Sequence, residues 1–600
     1  MKKTILTALV LFMVTLTNFS VNSIESNNFD TTATSENILY AGGSGPGNYS
    51  SIQDAINVSN NGDTVFVYEG EYNESLWVDK SIKLTGENKD KTVLRNKIGR
   101  AIEILADNVK LSNFCITDSG SGSIEVIHVN SDNNTIVDNN IINNNYSISS
   151  NAVTGIAIGS ATFNSEGNVI KNNYINNNGK GIRIYHGSNN TVINNTIANS
   201  QEYGIYVLGP GCENTFIGWN IFDKNLNRAL GPSASANIVL NSCRDVVIKG
   251  NTINNTCSDG ETYGIFLTNS DNNYITGNNF TNNIGLYSIN IESSNLNHIS
   301  GNVFAKNANC VLLWSGNENI VHGNIMDDNL GIGIQIEQGY HTVARNSIKK
   351  SMYGILVDSD ENTISGNFID ECSETGLELS WCINNSIFEN TISNNNYGLK
   401  IWSSHSNQMY HNNFISNDIN AYVIKANPDN KCDNTWYADE KGNYWSDYTG
   451  LDLDDDLIGD TLYDIPGGGE NRDYYPLMVT YPFNEENGTV DNEPPVLKIT
   501  KPERALYIFN HKIRDYLILK ALTIGDIEIQ AEASDNESGI NHVEFYIDNN
   551  LKCNDTTKPY SYTWEREKGF LFKHLHTIKI IAYDNAGNKI SKNMTIRRYL

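Results

Sequence analysis

Asn302-Val-Phe, Asn324-Ile-Met, Asn346-Ser-Ile, Asn367-Phe-Ile, Asn390-Thr-Ile and Asn412-Asn-Phe repeat one signature, Asn, any residue, then a bulky apolar side chain, at intervals of 22, 22, 21, 23 and 22 residues. So even a period marks a structural repeat. Looser copies run back through Asn278, Asn251, Asn220, Asn195, Asn173 and Asn140, at intervals of 24, 27, 31, 25, 22 and 33. The extra residues read as loops inserted between otherwise equivalent units.

Two further short runs recur within each unit. One is Gly-Ile-x-Ile-like, as in Gly181 to Ile184, Gly333 to Ile336 and Tyr353 to Val357; the other is Asn-Thr-Ile-like, as in Asn190 to Ile193 and Asn362 to Ile364. Three strands of three to five residues, each alternating with period two and separated by Asn, Gly and Ser, make one coil of a parallel β-helix. No 3.6-residue periodicity supports a helical solenoid. The expected fold is all-β, a parallel β-helix of about twelve coils of ~22 residues in which inward Ile, Val, Leu and Phe stack in columns. Asn suits the turns because it tolerates left-handed backbone, and columns of Asn can form hydrogen-bonded ladders.

The units on either side complete the organisation. Met1 to Ser23, with Lys2, Lys3 and an apolar stretch from Ile5 to Leu16, reads as a secretory signal, and 24–40 as a linker. The β-helix with its N-terminal cap is expected over 41–433, where Tyr49 to Asn57 reads as a short amphipathic helix plugging the open end of the stack. Residues 434–483, rich in Trp, Tyr, Asp and Gly, read as the C-terminal cap, and 484–495 as a linker. From 496 to 600 alternating runs such as Asp526 to Ala533, His542 to Ile547, Tyr560 to Trp564 and His576 to Tyr583 suggest an immunoglobulin-like sandwich, although the Cys, Trp, Cys spacing of antibody domains is missing.

A net charge of −27 over 600 residues disfavours nucleic acid and anionic membranes as partners. Nine cysteines without a CxxC pair read mostly as small buried residues, an odd count leaving at least one thiol unpaired within the monomer. Cys372 with Cys382 is the local pair to test. Sequons at Asn48, Asn73, Asn133, Asn189 and Asn385 are open to glycosylation outside the cytoplasm, but structural use of Asn competes with that reading.

Gly43-Ser-Gly, Tyr49-Ser-Ser-Ile-Gln-Asp-Ala-Ile56, Asp63-Thr-Val-Phe-Val-Tyr-Glu-Gly-Glu-Tyr72 and Gly442-Asn-Tyr-Trp-Ser-Asp-Tyr448 resemble the secreted NosD-like right-handed β-helix proteins, over roughly residues 40 to 482. The resemblance implies membership of a broader pectin-lyase-like group of carbohydrate-binding proteins and sugar hydrolases, many of them archaeal cell-surface proteins. The tail from Pro494-Pro-Val-Leu-Lys, with Ala582-Tyr-Asp-Asn-Ala-Gly-Asn588, resembles the Ig-like modules often appended to them. The resemblance carries periplasmic copper delivery as a further role. Copper needs clustered His, Cys or Met, and the eleven His are scattered, with His298, His322 and His341 at non-equivalent positions of their coils.

Registering the coils gives columns on the outer face of the Gly-Ile-x-Ile strand. The interior column reads Arg183, Tyr206, Val239, Phe266, Asn290, Leu312, Gln335, Leu356, Glu378, Lys400. The next reads Tyr185, Leu208, Asn241, Thr268, Glu292, Trp314, Glu337, Asp358, Ser380, Trp402. Glu292, Trp314, Glu378, Trp381 and Trp402 are the candidate substrate-binding residues, aromatic faces suiting sugar rings and carboxylates their hydroxyls. Glu337 and Asp358, on adjacent coils about 4.8 Å apart, are the candidate acid/base pair, since like charges that close push one pKa up. The Asp-Pro-His signature of alginate epimerases does not appear. Lys180, Arg183, Tyr185 and His186 form the basic group a lyase would want, with no acidic partner in their own coil.

Asp452, Asp454, Asp456 and Asp460 are the candidate Ca²⁺ ligands, carboxylates on alternate positions being able to converge on one ion. This loop resembles the family's Asp-x-Asp-Gly-Asp-Gly-Ile-Gly-Asp segment, with Asp455 and Leu457 standing where Gly is expected. The sequence therefore points to a secreted or cell-surface glycan-binding or envelope structural protein. A polysaccharide lyase or glycoside hydrolase is the alternative, and a copper-binding accessory protein the remaining one. The expected partner is a polysaccharide or surface glycan, without nucleic acid and without a membrane span in the mature chain.

Overall fold

The computed structural model describes residues 36–96, 99–119, 125–144, 152–225, 235–256, 262–426, 432–482 and 494–599, apart from short stretches inside the last segment at 504, 509, 516–520, 536–538, 549, 565–574 and 585–587. The proposed signal at 1–23 lies outside these residues, as do 24–35 and 484–493 of the two proposed linkers; the first linker ends earlier than the expected residue 40, because Ile38–Ala41 forms a strand of the β-helix.

Three parallel sheets run the length of the repeat. The first has 16 strands, from Ile38–Ala41 to Gln408–Tyr410; the second has 15, from Leu76–Val78 to Ile419–Ile424; the third has 16, from Gly70–Tyr72 to Tyr444–Trp445. Each strand pairs with the strand one coil away, as in Ile332–Ile336 with Tyr353–Val357. The chain is a parallel β-helix. Its coils exceed the expected twelve, because the strands from Ile38 onward, which precede the recognisable Asn signature, already wind as coils.

Packing follows from the alternation. Ile182, Ile184, Ile205, Val207, Ile355 and Leu377 point inward and are fully buried, and Phe280 stacks on Phe304 with ring centroids 4.7 Å apart. One coil alone leaves such side chains half exposed, so the stack is stable only as a body.

The Asn signature is a ladder. Asn302 donates its backbone N–H to Asn324 Oδ1 at 3.0 Å, and Asn324 does the same to Asn346 at 3.0 Å. Each side-chain amide then donates to the next Asn Oδ1 and to a carbonyl of a preceding strand, as Asn324 Nδ2 does to Asn346 at 2.9 Å and Ile299 O at 2.9 Å. These amides are fully or almost fully buried, and their cost is offset because every donor and acceptor is used. One detail of this ladder differs from the sequence reading. The early rung is Asn139, not Asn140: Asn139 N–H reaches Asn173 Oδ1 at 3.0 Å, while Asn140 opens a strand. In the Asn302 to Asn412 run the left-handed residue is the one before the ladder Asn, namely Gly301, Gly323, Arg345, Gly366, Glu389 and His411. A second ladder runs through Asn273, Asn297, Asn319, His341, Asn362, Asn385 and Asn407. Asn385 is buried there, and the sequon read at it starts one residue earlier: the Asn-x-Ser run is Asn384-Asn385-Ser386, with Asn384 exposed at a left-handed turn.

Both ends are capped. The helix Ile52–Val58 buries Ile52, Ala55 and Ile56, and Glu74 accepts from Ile52 N–H and Gln53 N–H, each at 3.0 Å, at its N-terminus. At the other end Trp436 and Trp445 are buried, and Trp445 stacks on Phe414 at 4.5 Å and on Tyr463 at 4.3 Å.

The C-terminal unit is a separate β body. Val496–Lys501, Ile527–Ser534 and Tyr560–Trp564 form one sheet, and Ile540–Ile547, Leu575–Asp584 and Lys589–Tyr599 belong to a seven-stranded one. Leu497, Ile529, Val543, Phe545, Trp564 and Ile578 share its core. These strands match the four runs read from sequence within two residues at each end.

Candidate functional site

The second sheet builds the site. Its outward column is registered as Arg183↔Tyr206↔Val239↔Phe266↔Asn290↔Leu312↔Gln335↔Leu356↔Glu378↔Lys400, as the periodicity implied. In the neighbouring column Thr268 pairs with Glu292 and Ser380 with Trp402. Between them Trp314, Glu337 and Asp358 each donate a backbone N–H to the coil before, to Ile291, Leu313 and Ile336. Glu292, Trp314, Glu337, Asp358 and Trp402 therefore share one face.

Trp314 is 49% exposed and Trp381 67%, so both present ring surface to solvent. Trp381 sits at a left-handed turn and donates its N–H to Trp402 O at 2.9 Å. Lys400 lies 5.1 Å from the Trp402 ring and 5.0 Å from that of Tyr397, opposite Glu378 in register. Gln335 Nε2 donates to Glu337 Oε1 at 2.5 Å, and Tyr287 donates its phenol to Gln335. Glu337 is thus held by a residue that is itself held.

Asp358 keeps solvent exposure, yet desolvation by its neighbours, then the Glu337 charge, push its pKa above the ordinary carboxylate range against hydrogen bonds from Ser380 and Gln335. Glu378 is also raised, by desolvation, with Lys400 opposing. One face therefore combines a half-buried carboxylate, a neighbouring carboxyl with a raised pKa, and aromatic platforms within a few coils.

Sequence reading missed a second cluster on the same sheet. Glu125, 2% exposed, accepts from Arg183 at 2.6 Å and from Arg100 at 3.0 Å, while Arg100 also meets Glu103 at 3.1 Å and His128 meets Glu103 at 3.4 Å. The basic group around Arg183 does have acidic partners; they come from other coils, and Lys180 pairs with Glu202 at 3.1 Å. Two arginines already neutralised by two glutamates serve as an ion-pair lock on the early coils.

In the C-terminal cap Asp452, Asp454 and Asp460 bring carboxylate oxygens within 4.8 Å of one another. Asp456 does not join them; its Oδ1 accepts Ile458 N–H at 2.8 Å. Asp454 is raised, chiefly by Asp456, in a group of like charges. Asp455 and Leu457 take φ of 58° and 68°, the left-handed backbone for which the family spelling uses Gly.

Residues 227–318 and 289–450 match the family described as periplasmic copper-binding protein (NosD). The β-helix is NosD-like. Residues 521–580 match the bacterial Ig domain family. The probable ABC transporter binding protein NosD of Stutzerimonas stutzeri is 31% identical over 147 residues, 22% of this chain and 31% of that protein. Its Pseudomonas aeruginosa counterpart is 32% identical over 139 residues, 20% and 31%. The chain thus spans about a third of the length of the curated relatives it matches. Among solved structures, the alginate lyase AlyF-OU02 is similar at 14% identity and TM-score 0.32, covering 65% of this chain and 84% of its own. DFA-IIIase from Arthrobacter chlorophenolicus A6 is similar at 12% and 0.34, covering 56% and 94%. Likeness this distant says nothing of substrate. Among the described residues of this NosD-like chain no helix is long and apolar enough to cross a membrane.

Proposed function

We propose that this NosD-like chain works outside the cytoplasm as a noncatalytic glycan-binding or envelope structural protein, with the second-sheet face as its contact surface. The observation that carries the reading is the shared column of Glu292, Trp314, Glu337, Asp358 and Trp402. Exposed indoles offer flat apolar faces to sugar rings, and fixed carboxylates accept hydroxyl hydrogen bonds across successive coils. Incubation with a panel of neutral and acidic polysaccharides tests it. Binding without new reducing ends or unsaturated products, weakened by Trp314→Ala, is the expected result; no binding by any glycan overturns the glycan reading in favour of a purely structural one.

The raised Asp358 beside Glu337 supports a second reading, a polysaccharide lyase or glycoside hydrolase in which the two share acid and base roles. Product formation abolished by Glu337→Gln would establish it. In the C-terminal cap, Asp452, Asp454 and Asp460 would hold a calcium ion with hard oxygen ligands.

The matched family is described as copper-binding, and copper draws on clustered His, Cys or Met. Among the described residues the group of three or more His, Cys, Asp or Glu that converges is the all-carboxylate Asp452, Asp454 and Asp460. That donor set does not fit copper.

A further inference from the structure

Glu213 and Arg244 form a parallel bridge across two successive coils, and the strands before them are registered Val207↔Leu240 and Leu208↔Asn241. Cys212 and Cys243, each one residue before a bridge partner, therefore occupy equivalent positions one coil apart. Parallel neighbours stand about 4.8 Å apart, inside the roughly 4.4–6.8 Å between Cα atoms that a disulfide spans. Both side chains turn inward, Cys212 being fully buried and Cys243 3% exposed. Cys212 Sγ lies 3.2 Å from Leu208 O, and Cys243 Sγ 3.4 Å from Val207 O, so the thiols hang over consecutive carbonyls of one strand. We infer that Cys212 and Cys243 form an intramolecular disulfide that clamps these two coils together.

Other cysteine positions argue for the specificity of this pair. Cys372, proposed from sequence as the partner of Cys382, instead donates its N–H to Asn395 at 2.8 Å, whereas Cys382 heads a different corner, its N–H on Ser404 Oγ at 3.0 Å and its thiol 3.6 Å from the same oxygen. The Cys212 column continues into Ser270 and Ser294, small residues that hydrogen-bond in sequence: Cys243 N–H to Ser270 Oγ at 3.1 Å, and Ser270 N–H to Ser294 Oγ at 2.9 Å. Thiols stand at the two adjacent positions where the column could have kept hydroxyls. The two thiols also lie within hydrogen-bonding contact of each other, and that contact shifts the pKa of both, lowering one and raising the other.

The oxidant is a disulfide, either of a thiol oxidoreductase or of glutathione. Cys212 thiolate attacks one sulfur of that disulfide, forming a mixed disulfide and releasing the other sulfur as a thiolate. Cys243, losing its proton, then attacks Cys212 Sγ and expels the second thiolate. Two protein thiols are oxidised, one external disulfide is reduced to two thiols, and the two electrons and two protons balance. Because both sulfurs are buried, exchange occurs while the coil is open, and once folded the clamp resists reductant. The inference rests on register and packing, independently of any glycan.

The full chain, produced in an oxidising compartment, is denatured with a maleimide present, digested without reductant and mapped by mass spectrometry. The expected result is a linked peptide pair containing Cys212 and Cys243 that separates on reduction, and two fewer alkylated thiols than in the reduced chain. In Cys243→Ser, Cys212 becomes alkylated and the pair disappears. Recovery of both residues as maleimide adducts, in this protein and in wild-type chain refolded from urea with reduced and oxidised glutathione, overturns the inference. A link from either residue to another cysteine overturns it as well. The wild-type map decides the matter even if the variant fails to fold.

Discussion

Asp473 Oδ2 accepts the backbone N–H of Asn443 at 2.7 Å and its side-chain amide at 3.3 Å, closing the asparagine ladder on a group that accepts without donating. The rung before it is ordinary, Asn412 N–H on Asn443 Oδ1 at 3.1 Å. An Asn at 473 would carry an amide NH₂ with no further rung to receive it, so an acceptor-only side chain suits the ladder end. Trp445 Nε1 and Tyr475 N–H donate to the same carboxyl, at 2.9 and 3.1 Å, tying the ladder to the aromatic cap.

Burial of Asp473 outweighs these donors and pushes its pKa up to about 6, from 3.8. The folded state therefore binds the proton more tightly than the unfolded one. Stability from this group is fully present below pH 3.8 and is lost as pH rises through 6, a change of the order of 3 kcal/mol. Denaturant unfolding of wild type and Asp473→Asn between pH 4 and 7.5 checks it. The difference between the two curves should slope across that window; parallel curves would exclude Asp473 as its source.

Within the ladder, Asn324→Leu removes an acceptor from Asn302 N–H and a donor from Ile299 O. Leaving the Asn302 N–H buried without its acceptor, while Ile299 O keeps only its sheet partner, should cost about 2 kcal/mol. The loss is read as a lower urea midpoint, and an unchanged midpoint would show that the rung is dispensable.

The period in Asn302 to Asn412 was enough to read the parallel β-helix and to register Glu292, Trp314, Glu337 and Asp358 on one face, because every coil there has nearly the same length. Where insertions break that evenness, register is lost from the sequence. Across the 33-residue interval the spacing points to Asn140 where the rung is Asn139, and Cys212 and Cys243 are likewise 31 residues apart, across an insertion. Arg183 and Glu125 meet over 58 residues of separation, with no shared motif to announce them. Ligand chemistry was less legible still, since the repeat specifies inward residues and turns while leaving the outward columns free to vary.

His341 occupies an Asn rung of the second ladder. Its Nδ1 accepts Asn319 N–H at 3.3 Å, and the 2.8 Å contact of Nε2 with Gln338 O assigns the proton to Nε2. Burial lowers its pKa below 6.5, so the unfolded chain takes up the proton first. The stability this ring confers is present above 6.5 and is lost as pH falls below it. His341→Asn should restore the repeat and give a shallower fall in thermal midpoint between pH 7 and 5. An identical fall would mean that half-buried histidines with lowered pKa values, such as His298 and His322, dominate the acid response.

On the proposed binding face, Trp314→Ala and Trp402→Ala separate contact from folding. Trp314 projects from the sheet with half its surface exposed, so its removal should leave the thermal midpoint within about 0.5 kcal/mol of stability while weakening glycan binding by roughly tenfold or more, about 1.5 kcal/mol. Trp402 is more enclosed beneath Lys400 and should lose both. Calorimetric titration and thermal melts on the same samples read the two effects. Equal affinity in Trp314→Ala would remove this residue from the contact surface.

The acidic loop offers a test in which backbone and charge are separable. Leu457 holds φ at 68°, a left-handed conformation that costs an L-residue about 1 kcal/mol, and its N–H donates to Asp452 Oδ2 at 2.9 Å. Leu457→Gly relieves that strain without touching a carboxylate, so the thermal midpoint of the cap should rise in EDTA and rise further in millimolar Ca²⁺. Asp454→Asn should also stabilise the loop in EDTA, since it removes one of several repelling charges, but should cancel the calcium increment. Equal midpoints for the wild type in EDTA and in Ca²⁺, together with no calcium increment in Leu457→Gly, would mean that Asp452, Asp454 and Asp460 gather without a cation.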